Sequence, residues 1–261
     1  MHNAAFRHFG VDARYDLRDL EPDGLAAFCE EARGEEWLGF QVTAPYKQAV
    51  MRHLDDTEAE AVAIGAVNSV VRRDDGGLVG FNTDAGGFGR AVEAALGAPI
   101  RGITAAVAGA GGAARAVVHA LVSAGADSVS IGNRTASRAG ALAADYGDEV
   151  VGMGIDAEFA EALGGAQLAV NATTVGMVST GVAFDVAALP DSAVVFDLVY
   201  VPPDSELVRQ ARARGLRAHN GLGMLVAQAE LAFERWVGVA DAGAVMRTAL
   251  DGSGVIEQAS A

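Results

Sequence analysis

Apolar residues recur along this chain in two rhythms, and their alternation predicts the fold. From His2 to Phe9, residues Ala5, Phe6 and Phe9 share one side of a helix. Asp23 to Arg33 repeats the pattern, with Leu25, Ala26, Phe28 and Cys29 inward. Tyr15 to Leu17 reads as a short strand, and Leu38 to Val42 as a buried one that ends at Thr43-Ala44-Pro45. Pro45 suits the first position of a helix, with Thr43 or Ala44 at or just before its cap. Helical spacing then runs through Ala49-Val50 and Leu54 to Val62. Val67 to Val71 and Leu78 to Phe81 are strands joined by the hairpin sequence Arg73-Asp74-Asp75-Gly76-Gly77. Asn82-Thr83-Asp84 leads into a glycine-dotted helix from about Ala85 to Leu96.

Beyond Gly97-Ala98-Pro99 the rhythm becomes strand–helix alternation. Strands are expected near Ala105–Ala108, Ser128–Ile131, Gln167–Asn171 and Ala193–Leu198, with helices near Ala113–Ser123, Ala136–Tyr146 and Ser205–Arg214. This is the pattern of an α/β protein with a parallel, doubly wound sheet that takes its ligand at the strands' carboxyl ends. A long helix from Met224 to Trp236, a shorter one near Ala240–Leu250 and a loose Gly/Ser tail close the chain. The two helices lack strand partners in the second unit, so they are expected to pack back on the first.

The centre of this pattern is Thr104 to Ser123. Its apolar strand stops at Gly109-Ala110-Gly111-Gly112, and a helix opens at Ala113. The spacing Gly109-x-Gly111-x-x-Ala114 is the dinucleotide-binding arrangement. Gly109 permits the tight turn, Gly111 lets backbone approach a pyrophosphate, and Ala114 keeps helix close to strand. The helix N-terminus offers free N–H groups and a positive dipole end. With 33 glycines in 261 residues the string alone means little; its place between strand and helix gives it weight.

Composition narrows the function. The chain has 34 acidic and 19 basic residues, a formal net charge of −15, and no basic run, which disfavours nucleic acid and anionic membrane as partners. One cysteine, Cys29, excludes an internal disulfide and suits a reducing cytosol. No stretch reads as a signal peptide or a membrane span, so a soluble cytoplasmic protein is expected. No metal cluster is expected.

Several polar residues sit where packing alone does not explain them. Asn133-Arg134-Thr135, with Arg138 one turn on, follows the second strand of the nucleotide unit, where an NAD site would carry an acidic residue for the ribose diol. Arginines at a helix start oppose the dipole, and their forks suit a 2′-phosphate, which points to NADP. Lys47 raises the same question in the turn after Pro45; in a cleft it becomes an amine suited to exchanging protons near neutrality. A solvated lysine is the plain alternative. Asp84 is its carboxylate partner, or simply a helix cap. Asn68 is an amide in a strand-like stretch, and Gln228 falls on the apolar stripe of the last long helix.

Taken in order, these segments resemble the motifs of shikimate dehydrogenases: Gln41-Val42-Thr43-Ala44-Pro45-Tyr46-Lys47, Gly65-Ala66-Val67-Asn68, Asn82-Thr83-Asp84 and Gly109-Ala110-Gly111-Gly112-Ala113. The series continues with Asn133-Arg134-Thr135, Asn171-Ala172-Thr173-Thr174-Val175-Gly176-Met177, Asp197-Leu198-Val199-Tyr200 and Gly223-Met224-Leu225-Val226-Ala227-Gln228. The resemblance covers nearly the whole chain. It implies reversible reduction of 3-dehydroshikimate to shikimate with NADPH, in a cleft between a substrate domain (1–84 and 222–261) and a Rossmann-type NADP domain (85–221). Lys47 and Asp84 would be the catalytic pair. Thr43, Asn68, Gln228, Gln41 and Tyr200 would meet the substrate, Tyr200 also lying along the nicotinamide. The glycine loop from Gly109 to Ala113, Asn133 to Thr135, Arg138, Asn171, Ala172, Thr173, Leu198, Gly221 and Met224 would hold the cofactor. A monomer or homodimer is expected. Quinate or aminoshikimate dehydrogenase, and a catalytically weakened NADP-binding paralogue, remain alternatives.

Two departures stand out. The family usually has Asn where this chain has Gln41, one methylene longer. The family also opens with a β-strand and a Ser-x-Ser-Pro segment that binds the substrate carboxylate, and neither precedes Met1 here. The chain as given is therefore expected to bind NADPH but to show a raised KM for shikimate.

Overall fold

Residues 1–21 and 23–252 are described by the computed structural model. Among them the chain divides into two units, Met1–Gly87 with Val226–Gly252, and Phe88–Leu225. The Gly/Ser tail lies outside the described residues.

The first unit contains α1 (His2–Phe9), α2 (Leu25–Glu31), β1 (Gly39–Gln41), β2 (Asp56–Thr57), α3 (Ala59–Ile64), β3 (Ser69–Arg72) and β4 (Leu78–Phe81). Its sheet runs β1-β3-β4-β2; β3 pairs antiparallel with β1 and β4, and β2 lies parallel to β4. One face of that sheet is closed by α2, where Leu25, Phe28 and Cys29 pack with Phe40, Val50, Val67, Val70 and Leu78. A second cluster joins α1 to the chain's last two helices, α9 (Leu222–Val237) and α10 (Gly243–Asp251), through Phe6, Val226, Phe233 and Met246. The terminal helices do pack back on this unit. Burying each of these large side chains stabilises the assembly by about 1.5–3 kcal/mol.

Two local expectations fail here. Tyr15 to Leu17 is not a strand. Asn3 clamps the backbone of Tyr15, donating from Nδ2 to its carbonyl (2.8 Å) and accepting its N–H at Oδ1 (2.7 Å), and Leu17 is 90% exposed. The segment after Pro45 is not one helix to Val62 either. It forms a turn, a 3₁₀ helix at Ala49–His53, then β2 and α3. Tertiary bonds override the helical spacing there: Asp55 accepts from the Arg33 guanidinium and, at 2.7 Å, from the Leu78 N–H. That draws residues 56–57 beside β4.

The second unit is built on β5 (Thr104–Ala108), β6 (Ser128–Asn133), β7 (Val150–Gly154), β8 (Leu168–Asn171), β9 (Val194–Asp197) and β10 (Arg217–His219). Its helices are α5 (Gly112–Ser123), α6 (Ala136–Ala143), α7 (Ala157–Gly164) and α8 (Glu206–Ala213). The helix α4 (Asp84–Leu96) carries the chain into this unit. All six strands are parallel, in the order β10-β9-β8-β5-β6-β7. This is the doubly wound arrangement, and its order reverses between β5 and β8. Apolar layers cover both faces: Val107, Val117, Leu121 and Ile131 on one, Ala106, Phe159, Val195 and Val208 on the other.

The strands β7 and β10 and the helix α7 were not expected. β7 reads Val-Val-Gly-Met-Gly and β10 is three residues with exposed ends, so neither carries a strong strand pattern. The helix did leave a signal. Asp156 caps it by accepting the Glu158 N–H at 3.1 Å, and Phe159 and Leu163 lie four apart on its buried side.

Candidate active site

In the first unit the polar residues singled out from the sequence converge. Lys47 Nζ donates to Asp84 Oδ2 at 2.6 Å, and the side chains are 17% and 7% exposed. Asp84 Oδ1 accepts from Asn68 Nδ2 at 2.8 Å. Asp84 stands in the first turn of α4 but does not cap it. Asn82 Oδ1 takes that part, accepting the N–H groups of Asp84 (2.9 Å) and Ala85 (3.2 Å), while its own Nδ2 donates to Ala66 O (2.8 Å). Both oxygens of Asp84 are thereby spared for side chains, and the helix dipole favours a negative charge at that point.

Asn68 is held from both ends. Its Oδ1 accepts the Thr83 N–H at 2.8 Å, and its own carbonyl accepts the Val42 N–H at 2.8 Å. Lys47 is fixed at its backbone, where its carbonyl accepts the Val67 N–H at 2.8 Å. Gln228 enters from α9 and is 9% exposed. Its Oε1 accepts from Gln41 Nε2 at 2.8 Å and lies 3.4 Å from Thr83 Oγ1 and 3.5 Å from Asn68 Nδ2. This approach depends on Gly87. A Cβ there would stand 2.8 Å from the backbone nitrogen of Gln228 and 3.0 Å from its Cα. Thr43 is exposed at the end of β1. The arrangement brings an ammonium, a carboxylate and three amides together, a set that can bind a polyhydroxylated ring and move a proton at one of its oxygens.

The second unit presents its own cluster at the switch point of the sheet. Gly109, just past β5, has φ +120°, and a Cβ on it would meet the Ala172 carbonyl at 2.8 Å. The glycine loop (Gly109, Ala110, Gly111, Gly112, Ala113) and the segment after β8 therefore adjoin. Around Gly111, the residue before α5, no atom of the described residues other than its chain neighbours lies within 4 Å of where a side chain would begin. Past β6, Arg134 and Arg138 are both exposed, and among the described residues neither guanidinium has a carboxylate partner. Asn133 Nδ2 donates to the Thr135 carbonyl at 3.0 Å, which shapes that turn.

Asn171 organises the next loop. Its Oδ1 accepts from the Thr173 N–H (3.0 Å) and hydroxyl (2.7 Å), and its Nδ2 donates to Val175 O (3.1 Å) and Asp197 Oδ1 (2.8 Å). Asp197 is fully buried at the end of β9. It also accepts from Val199 N–H (3.0 Å) and Ser205 Oγ (2.5 Å), yet burial still pushes its carboxyl above the usual range. Asp197 thus ties the loops after β8 and β9 together, and with them Leu198 and the half-buried Tyr200. Gly221 and Met224 lie at the start of α9, where Met224 is buried in the unit's core.

Sequence reasoning gave no role to Asn82, Asp197 or Ser205, nor to His2 and Tyr15, which contact Gln41. Asn82 and Asp197 were legible as polar residues at strand ends. His2 and Tyr15 left no signal, because their partner is far along the chain.

Comparison with known proteins agrees across the chain. Residues 1–70 match the shikimate dehydrogenase substrate binding domain, 92–201 the shikimate/quinate 5-dehydrogenase domain, and 221–250 the shikimate 5′-dehydrogenase C-terminal domain. A shikimate dehydrogenase (NADP+) from Paramagnetospirillum magneticum is 44% identical over 242 residues, covering 91% of this chain and 87% of that protein. The crystal structure of shikimate 5-dehydrogenase from Thermus thermophilus with NADP(H) and shikimate superposes with a TM-score of 0.84 at 37% identity, covering 99% of this chain and 92% of that one. Quinate dehydrogenase from Corynebacterium glutamicum in complex with NAD gives 0.82 at 33% identity, covering 96% and 92%.

Proposed function

The chain belongs to the shikimate dehydrogenase family, and from this premise we propose that its first unit binds substrate and its second NADP, for the reversible reduction of 3-dehydroshikimate to shikimate. The observation that carries the reading is the 2.6 Å Lys47–Asp84 pair set among Asn68, Gln228 and Gln41.

The second unit fits the cofactor. Gly109 to Ala113 with the N-terminus of α5 would hold the pyrophosphate, and Arg134 and Arg138, with Asn133 and Thr135, the 2′-phosphate. Asn171, Ala172, Thr173, Leu198, Tyr200, Gly221 and Met224 would line the nicotinamide end. When bound, the cofactor supplies or receives the hydride. The protein's own groups handle the proton. Lys47 Nζ, as ammonium, donates a hydrogen bond to the substrate's ketone oxygen and delivers a proton there as negative charge develops. Asp84 holds that ammonium in place through Oδ2 and accepts from a ring hydroxyl. Asn68, Thr43 and Gln228 orient the ring, so that one hydroxyl-bearing carbon is presented. In the oxidative direction Lys47, as amine, takes the hydroxyl proton. The enzyme works in the cytoplasm on a small-molecule substrate as a monomer or homodimer, without nucleic acid.

Steady-state assays with shikimate and quinate against NADP+ and NAD+ test this reading. Preference for shikimate with NADP+ is expected, and quinate preference would move the chain to the neighbouring activity. Replacing Arg134 with Asp should reduce kcat/KM for NADP+ about tenfold to a hundredfold while sparing or improving NAD+, since a charge-assisted contact contributes about 1.5–3 kcal/mol. Equal use of both cofactors by the unmodified chain would refute the arginine assignment.

A further inference from the structure

Gln41 does not stand alone beside Gln228. Its Oε1 lies 3.2 Å from His2 Nε2 and accepts the Tyr15 hydroxyl at 3.0 Å, and its Nε2 donates to Gln228 Oε1 at 2.8 Å. An oxygen facing two donors leaves the amide nitrogen as the only group that can reach Gln228, so the polarity of Gln41 is set by its two aromatic neighbours. With Gln41 Oε1 on that side, the His2 tautomer that completes the bond carries its proton on Nε2, which leaves the lone pair on Nδ1, a buried atom with no hydrogen-bond partner among the described residues. His2 is 4% exposed and stacks on Tyr15 with ring centroids 4.5 Å apart, tilted against Trp236 at 5.2 Å. Tyr15 is pinned in turn by the two hydrogen bonds between its backbone and the Asn3 amide. Trp236 is anchored by its Nε1–H, which donates to Val70 O at 2.9 Å.

We propose that His2 and Tyr15 are positioning residues for substrate recognition: they fix the polarity of the Gln41 amide, and Gln41 fixes the polarity of Gln228. An amide turned by half a revolution keeps its shape but exchanges donor for acceptor. Which end of Gln228 faces Gln41, Thr83 and Asn68 therefore decides whether the site pairs with a ring hydroxyl's oxygen or its proton. Deleting the Tyr15 O–H leaves His2 as the remaining donor to Gln41 Oε1, which weakens the preference for one orientation and with it binding of the hydroxylated ring in substrate and product alike. The lysine–aspartate pair is left in place, so the effect falls on KM. This inference rests on the proposed activity, since it assigns these residues to the substrate side of that reaction.

The test is a cycle of Tyr15→Phe, Gln41→Met and the double variant, assayed for shikimate oxidation with NADP+. Tyr15→Phe keeps the ring stack and removes only the hydroxyl. It should raise KM for shikimate about tenfold, the scale of one hydrogen bond, with kcat within about twofold and KM for NADP+ unchanged. Because Tyr15 acts through Gln41, the double variant should match Gln41→Met alone. An unchanged KM in Tyr15→Phe, or effects that multiply in the double variant, would overturn the proposal. If the parent chain oxidises neither shikimate nor quinate, the functional reading fails, and side-chain amide NMR signals still decide the inference. A shift of the Gln228 NH₂ resonances in Tyr15→Phe that vanishes in the Gln41→Met background supports it, and unmoved resonances sink it.

Discussion

Replacing Lys47 with alanine is expected to lower kcat for shikimate oxidation by roughly 10²–10⁴, the range for a lost proton-transfer group, with little change in NADPH affinity. The lysine lies in the first unit and the glycine loop in the second, so cofactor binding has no reason to follow. Stability will respond as well. The variant leaves the Asp84 carboxylate, 7% exposed, without its cation, although Asn68 Nδ2 still donates to it. Unpairing a buried charge is costly. Turnover should therefore be normalised to the NADPH-binding fraction, measured by fluorescence titration. If the normalised kcat stays within about threefold of the parent, far short of the range above, Lys47 is a structural partner of Asp84 and the proton comes from elsewhere.

A second large effect should appear in acid. Burial pushes the imidazole of His2 down to about 4, from an ordinary value of 6.5. The unfolded chain takes up this proton as the pH falls through 6.5, and the folded chain resists until about 4. Stability from this source is complete above 6.5 and drains away as the pH drops through that window. At 1.36 kcal/mol per unit, the loss approaches about 3 kcal/mol. Asp197 opposes it, because a carboxyl raised by burial favours the folded chain at low pH and loses that contribution as the pH rises through its folded value. A variant comparison separates the two. Denaturant unfolding of the parent and of His2→Phe between pH 7 and 4 should show the parent losing about 3 kcal/mol more stability toward acid than the variant does. Parallel curves would mean that His2 titrates normally in the folded protein.

The sequence was most legible where a signal is local. The glycine spacing around Gly109 predicted both the turn and its place after a strand, because one residue's φ and one carbonyl contact with Ala172 decide it. The hairpin at residues 73–77 and the parallel sheet were readable for the same reason. The segment after Pro45 was misread because Asp55 finds partners on Arg33 and Leu78, which no window around Asp55 contains. Within the candidate site, Lys47, Asp84, Asn68 and Gln228 were visible as polar residues in places that packing leaves unexplained. The division of labour between Asn82 and Asp84 was not. Either residue can cap a helix, and only the bond of Asn82 to the Ala66 carbonyl decides which one does. Tyr15 was hidden for a different reason: its side chain matters to Gln41, 26 positions away, and its own neighbourhood reads as an ordinary strand.

The missing side chain at Gly87 has a consequence for anyone recombining this enzyme with its relatives. At Gly86 an added methyl would press only on the tip of Leu231, 3.0 Å away, and a flexible tip can yield. At Gly87 it would press on the backbone of Gln228, which cannot yield without shifting α9. Chimeras should therefore inherit the start of α4 and the middle of α9 from one parent, as a single block. Libraries aimed at new ring substituents should leave position 87 fixed and diversify Gln41, Thr43 and Tyr15, where the variation is carried by side chains alone.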